Sequence, residues 1–143
     1  MITPNDCITK YGLPTPEFEK KWMGVFEFPD DLYNNIEPLP MKIYCNVEFF
    51  TPLCNALYDV LNNNLQGLLT EYCGCFNIRL MRGGNVYSIH SWGIAIDFNC
   101  STNVLGQEPQ MDSRIVECFK NNGFDWGGDW QRKDGMHFQL KEI

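Results

Sequence analysis

Two short segments, residues 94–98 and 136–140, constrain the fold of this chain more than any other feature. In "IAIDF" large apolar residues alternate with alanine and Asp97, and in "MHFQL" they alternate with His137 and Gln139. Successive side chains of a strand point to opposite faces, so each segment places its large apolar residues on one face and its remaining residues on the other. The pattern therefore predicts two strands that each turn one face to a core, with Met136 among the inward residues.

The rest of the chain predicts two helices and further short strands. A helix is predicted to begin at Thr51 and Pro52 and to end before Gly67. One of its faces is rich in leucine and includes Leu65. A second helix is predicted from Asp112 to "NNG". The proline-rich and aromatic first forty residues predict a mostly irregular arm. Short strands are expected over residues 22–28, 41–49 and 76–80.

These elements do not alternate strictly as βαβ units, which indicates the α+β class. We expect a small, mainly antiparallel sheet with flanking helices. The 143 residues, 44% of them hydrophobic, suit a single domain over residues 1–143 with one core. We expect this domain to be a monomer.

Charge and hydropathy exclude several classes of partner. The net charge of −7 disfavours nucleic acid, because binding to phosphates requires clustered lysine and arginine. No apolar run approaches the roughly 20 residues of a membrane span. The start "MITPNDCITKYG" lacks the basic and apolar regions of a signal peptide. We therefore expect a protein made in the cytoplasm without a membrane partner.

Cysteine spacing gives a weaker signal. The chain has seven cysteines, an odd number without any C-x-x-C pair, which favours reduced thiols in a reducing compartment. Cys73 and Cys75 form a C-x-C pair that could suggest zinc. Without a second pair of nearby ligands, small buried hydrophobic residues are the better interpretation.

The only two histidines lie in or beside the two predicted strands. His90 precedes the first strand, where a bend at Gly93 could turn it toward Asp97, and His137 lies on the polar face of the second. Two imidazoles and one carboxylate can hold a catalytic zinc with one position open for water. Asp134, three residues before His137, could then serve as the base. Spacing alone leaves open that these are hydrogen-bonded structural groups.

The same segments carry a family resemblance. "SIHSWGIAIDF" resembles the S-x-H-x-x-G-x-A-x-D signature of the M15 peptidases, and "WGGDWQRKDGMHFQ" resembles their closing segment. This family includes D-alanyl-D-alanine carboxypeptidases and phage endolysins. The resemblance implies a hedgehog/DD-peptidase-like fold. It also implies zinc bound by His90, Asp97 and His137, with Asp134 as the general base.

Five further residues are candidates for contact with the substrate. The resemblance implies an upstream arginine that helps stabilise the oxyanion, for which Arg79 is preferred and Arg82 is the second choice; either could instead be a surface charge. Ser88 could hydrogen-bond near the metal or the substrate, or cap a turn. Trp126 and Trp130 could form walls of a cleft or belong to the core.

The function implied by the resemblance is zinc-dependent hydrolysis of the stem peptides of peptidoglycan. An L-alanyl-D-glutamate endopeptidase of the phage endolysin type is favoured, with a D-alanyl-D-alanine carboxypeptidase as the alternative. An endolysin would stay in the cytoplasm of the bacterial host until released to the cell wall.

Two functions of other classes remain open. Two histidines and a carboxylate also form the iron site of non-haem iron oxygenases, although those enzymes typically carry H-x-D, whereas six residues separate His90 from Asp97. A non-catalytic cell-wall binding module could keep the fold without hydrolysis. The presence of Asp134 counts against this second possibility.

Overall fold

Two small antiparallel sheets form the framework of the protein in a computed structural model, which describes all 143 residues. Together with five helices they confirm the α+β class and the mainly antiparallel pairing. None of the helices is both long enough and apolar enough to cross a membrane. In chain order the elements are α1 (Pro4–Tyr11), α2 (Pro16–Trp22), β1 (Met23–Glu27), α3 (Asp30–Asn35), β2 (Lys42–Asn46), α4 (Phe50–Asn62), β3 (Ala95–Asp97), α5 (Ser113–Lys120), β4 (Phe124–Trp126) and β5 (His137–Leu140).

The three-stranded sheet has the order β3-β5-β4 and contains both strands predicted from the alternating segments, β3 with Asp97 and β5 with His137. Its register places Asp97 directly opposite His137. Ile96 and Phe138, also opposite each other, are fully buried, as the alternation predicted. Met136 is an exception, because it precedes β5 and lines a cleft instead of packing in the core.

Helices α4 and α5 pack against each other and enclose the core above this sheet. Phe119 of α5 stacks on Phe138 with 4.2 Å between ring centroids. The prediction for α5 is confirmed, since the Asp112 side chain caps it by accepting a hydrogen bond from the Arg114 amide at 2.9 Å. Helix α4 begins at Phe50, earlier than predicted, and ends before Leu65, which is buried outside the helix.

The first forty residues are more regular than predicted. Strand β1 pairs with β2, which confirms the two early strands, but three short helices replace most of the expected irregular arm. Two of these helices begin with a Thr-Pro pair. The Thr3 and Thr15 side chains accept hydrogen bonds from the first turn, and Pro4 and Pro16 occupy positions where no backbone donor is needed.

The predicted strand over residues 76–80 is wrong. This segment makes only one isolated bridge, between Leu80 and Tyr87, and its side chains at positions 77–80 are exposed. Residues with strand propensity form a strand only where a neighbouring strand can pair along them. Strand β4, by contrast, was not predicted, since it is only three residues long.

The expectation that all cysteines are reduced is wrong, because Cys73 and Cys100 form a disulfide. The other five cysteines are free and buried, as expected of small hydrophobic residues. The disulfide lies beside β3, where the Cys73 amide donates to the Asp97 carbonyl at 2.9 Å. The Asp97 amide in turn donates to the Gly74 carbonyl at 2.9 Å. The disulfide therefore covalently joins the segment that pairs with Asp97, around Cys73, to the segment that follows Asp97, at Cys100.

Candidate metal centre

The three residues predicted to bind metal meet at one end of the three-stranded sheet. Asp97 ends β3 and His137 begins β5, directly opposite. His90 lies in a single turn of 3-10 helix just before β3. This turn ends at Gly93, whose backbone is in the left-handed region with φ of +68°. A side chain at Gly93 would also collide with the backbone amide of Asn46. This glycine therefore permits the bend that brings His90 toward Asp97.

The donor atoms form a nearly equilateral triangle. His90 Nε2 lies 3.2 Å from Asp97 Oδ1 and 3.1 Å from His137 Nδ1. His137 Nδ1 lies 3.3 Å from Asp97 Oδ1. In a tetrahedral zinc site with bonds of 2.0–2.1 Å, two ligand atoms lie about 3.3 Å apart. The three distances between donor atoms therefore fit a zinc ion.

Hydrogen bonds on the far sides of the imidazoles determine which nitrogens face this triangle. His90 Nδ1 lies 2.6 Å from the Cys75 carbonyl, which can only accept. His137 Nε2 lies 2.9 Å from Gln139 Oε1, and the Gln139 amide nitrogen donates to the Ile2 carbonyl. Both outer nitrogens therefore carry hydrogen, and the inner nitrogens turn lone pairs toward each other. Such an arrangement requires a cation or a proton between them.

Asp97 supplies the negative charge of the group. Burial acts to raise the pKa of Asp97, but when a proton lies between the inner nitrogens, the hydrogen bonds and positive charge that His137 and His90 then supply outweigh burial and hold this pKa well below its usual range. The carboxylate is therefore ionised at neutral pH. A buried carboxylate with two imidazoles at this distance is a donor set that zinc accepts.

Asp134 lies beside the triangle without belonging to it. Its Oδ2 is 4.0 Å from His137 Nδ1, and burial raises the pKa of this carboxyl above its ordinary value. The close approach depends on Gly127, because any side chain there would collide with the backbone of Asp134. A half-buried carboxyl with a raised pKa next to a metal position is suited to exchange protons with a water there.

The triangle opens into a cleft of about 450 Å³. Its walls include both candidate arginines, Ser88 and Trp130, whose ring centroid lies 5.2 Å from that of His137. Trp126 does not line this cleft. It packs against the core and donates its indole hydrogen to the Gly135 carbonyl at 2.8 Å, in support of the segment before His137.

Ser88 lies in the cleft wall and is also the cap of the turn that carries His90. Its hydroxyl accepts from the His90 amide at 3.4 Å, and its own amide donates to the Arg79 carbonyl at 2.8 Å. The interpretation of Ser88 as the cap of a turn is therefore confirmed, and a hydrogen bond from Ser88 to the metal site or the substrate stays a prediction.

Three residues of the site had no role in the sequence analysis. Gln139 was placed on the polar face of its strand, but its bond to His137 depends on the tertiary fold. The Cys75 carbonyl is a backbone group that residue identity cannot indicate. Arg132 lines the cleft. Its position in "WQRKDG", two residues before Asp134, could have indicated that it lies near the site.

Comparisons with known proteins match the segment of the chain that carries these residues. A peptidase M15 family model described as D-alanyl-D-alanine carboxypeptidase matches residues 82–140, which include the whole triangle and Asp134. The chain is 36% identical over 73 residues to the peptidoglycan L-alanyl-D-glutamate endopeptidase CwlK of Bacillus subtilis (strain 168), a match that covers 41% of this chain. The chain spans 41% of the length of that relative. No solved structure matches significantly.

Proposed function

We propose, from the match of residues 82–140 to an M15 peptidase family model, that the protein is a zinc-dependent hydrolase of the stem peptides of peptidoglycan. The observation that carries this proposal is the triangle of His90, Asp97 and His137 with Asp134 beside it, at the base of a cleft. We further propose that residues 1–143 form a single domain of the hedgehog/DD-peptidase type that acts as a monomer.

The zinc ion would be held by His90 Nε2, Asp97 Oδ1 and His137 Nδ1. Zinc at this position supplies Lewis acidity toward the scissile carbonyl and lowers the pKa of a water. The Cys75 carbonyl and Gln139 keep the two imidazoles in the required tautomers. The protein thus contributes a ligand set that is oriented before the metal binds.

Asp134 would move the proton during hydrolysis. It accepts a proton from the attacking water as the water oxygen bonds to the carbonyl carbon, and it returns that proton to the leaving amine when the C–N bond breaks. Its raised pKa brings it nearer to neutral pH, where both transfers are efficient. Arg79, which lines the cleft and lies close enough to Asp134 to influence its pKa, would contribute positive charge toward the oxyanion.

The scissile bond is proposed to be the L-alanyl-D-glutamate bond, as the name of the Bacillus relative suggests. The description of the family model names instead a D-alanyl-D-alanine carboxypeptidase, which is the second candidate. The identity of 36% to the endopeptidase favours the first. Retention in the cytoplasm of a bacterial host before release to the wall stays a prediction, which fractionation of producing cells would test.

Digestion of defined muropeptides tests the proposal. We expect fragments with new L-alanine carboxyl and D-glutamate amino ends, identified by mass spectrometry, and expect chelation to stop their formation until zinc is restored. Release of D-alanine alone would instead identify a carboxypeptidase. Metal analysis of active protein should give one zinc per chain; iron in its place would favour an oxygenase, and zinc binding without any cleavage would favour a binding module.

Replacement of Gln139 with leucine should weaken zinc binding. The leucine removes the acceptor that holds hydrogen on His137 Nε2, so the ring loses its fixed tautomer and orientation. Loss of such a supporting partner typically lowers metal affinity by about 10-fold to 100-fold. Competition with a chromogenic chelator measures the change. Gln139→Glu is the matched control, because it keeps an acceptor and should retain most of the affinity.

A further inference from the structure

Three of the four arginines in this acidic chain line the same cleft. The net charge is −7, yet Arg79, Arg82 and Arg132 all contribute to the cleft walls. The fourth, Arg114, lies elsewhere and makes a two-pronged ion pair with Asp112, with bonds of 3.0 and 2.9 Å. The positive charge of the cleft is therefore local and does not follow from the overall composition.

None of the three cleft arginines forms an ion pair within the protein. The carboxylates of the cleft are Asp97, which is engaged by both histidines, and Asp134, which lies beside His137. Arg132 instead donates from Nη1 to the backbone carbonyl of Arg82 at 3.3 Å. This hydrogen bond joins the loop before His90 to the segment before His137 and places the Arg132 side chain against the backbone of Arg82. Their remaining guanidinium donors are available for a ligand.

We propose that Arg82 and Arg132 form a carboxylate site for a free acidic group of the peptide substrate, separate from the carbonyl that is cleaved. The inference rests on the proposed peptidase function and adds to it the two residues that would recognise a free carboxylate of the acidic substrate. Guanidinium groups match carboxylates in shape and charge, and unpaired arginines in a cleft favour anionic ligands. Arg79 has a different place, because it is the arginine that influences the carboxyl at the reaction centre.

The test uses two muropeptides that differ only in one free carboxylate, which is amidated in the second peptide. The wild-type protein should cleave the acidic peptide with a kcat/KM about 10-fold to 100-fold higher, the range expected for a charge-assisted hydrogen bond. Arg82→Gln and Arg132→Gln should remove this preference by raising KM for the acidic peptide, with kcat largely kept. Arg114→Gln, outside the cleft, is the control and should keep the preference.

Two outcomes separate this proposal from the peptidase function. Equal cleavage of both peptides by the wild type, or a preference that survives both substitutions, would overturn the carboxylate site and leave the peptidase intact. If neither peptide is cleaved, the peptidase proposal fails. Calorimetry then decides about the arginines: tighter binding of the acidic peptide that depends on Arg82 and Arg132 supports the site, and equal binding refutes it.

Discussion

Replacing Asp134 with asparagine is expected to lower turnover of a muropeptide by about 10²-fold to 10⁴-fold while one zinc stays bound per chain. Asparagine has nearly the same size but cannot accept a proton from water. The Asp134 carboxylate lies 4.0 Å from His137 Nδ1 and outside the triangle of donors, so its loss should leave the metal in place. Initial rates and metal content of the same preparation measure both effects.

His137→Ala provides the contrast, because it removes a corner of the triangle and should lower zinc content together with turnover. Asp129→Asn is a matched control, since Asp129 is exposed and pairs with Lys120 away from the cleft. If Asp134→Asn loses its zinc, Asp134 binds or supports the metal. If that variant keeps both zinc and full turnover, another group is the base.

Loss of the Cys73–Cys100 disulfide should lower the free energy of unfolding by about 3.5 kcal/mol, because opening a loop of 27 residues returns conformational entropy to the unfolded chain. Denaturant unfolding of the wild type and of the double variant Cys73→Ser, Cys100→Ser measures this difference. The double variant also controls for other effects of a reductant, since a reductant should lower the stability of the wild type and leave that of the variant unchanged. Seven free thiols in the untreated wild type would contradict the disulfide.

The parts of the fold that the sequence predicted correctly are those in which local pattern and tertiary packing agree. In strands β3 and β5 the large apolar residues fill the core, and the residues between them include Asp97 and His137, which the pairing of the two strands places opposite each other. Helix α5 has its cap, its apolar face and a glycine after its end. In these elements the residues that set the local structure are the same residues that fill the core.

The parts that were missed depend on partners distant in the chain. Residues 76–80 have strand propensity, but no strand pairs with them beyond one isolated bridge at Leu80. Cys73 and Cys100 are far apart in the chain, and among seven cysteines no spacing rule selects this pair. The Thr-Pro starts of α1 and α2 were readable as caps, but the density of prolines and aromatics favoured an irregular arm.

The Cys73–Cys100 disulfide is linked to the candidate metal centre through hydrogen bonds of the segment that follows Cys73. One half of the bond, Cys73, is hydrogen-bonded through its backbone to Asp97, and two residues later the Cys75 carbonyl holds His90. Opening the bond would loosen the strip of chain that orients two of the three donors. We therefore expect the affinity of the candidate centre for a metal to be higher when this cysteine pair is oxidised and lower when it is reduced.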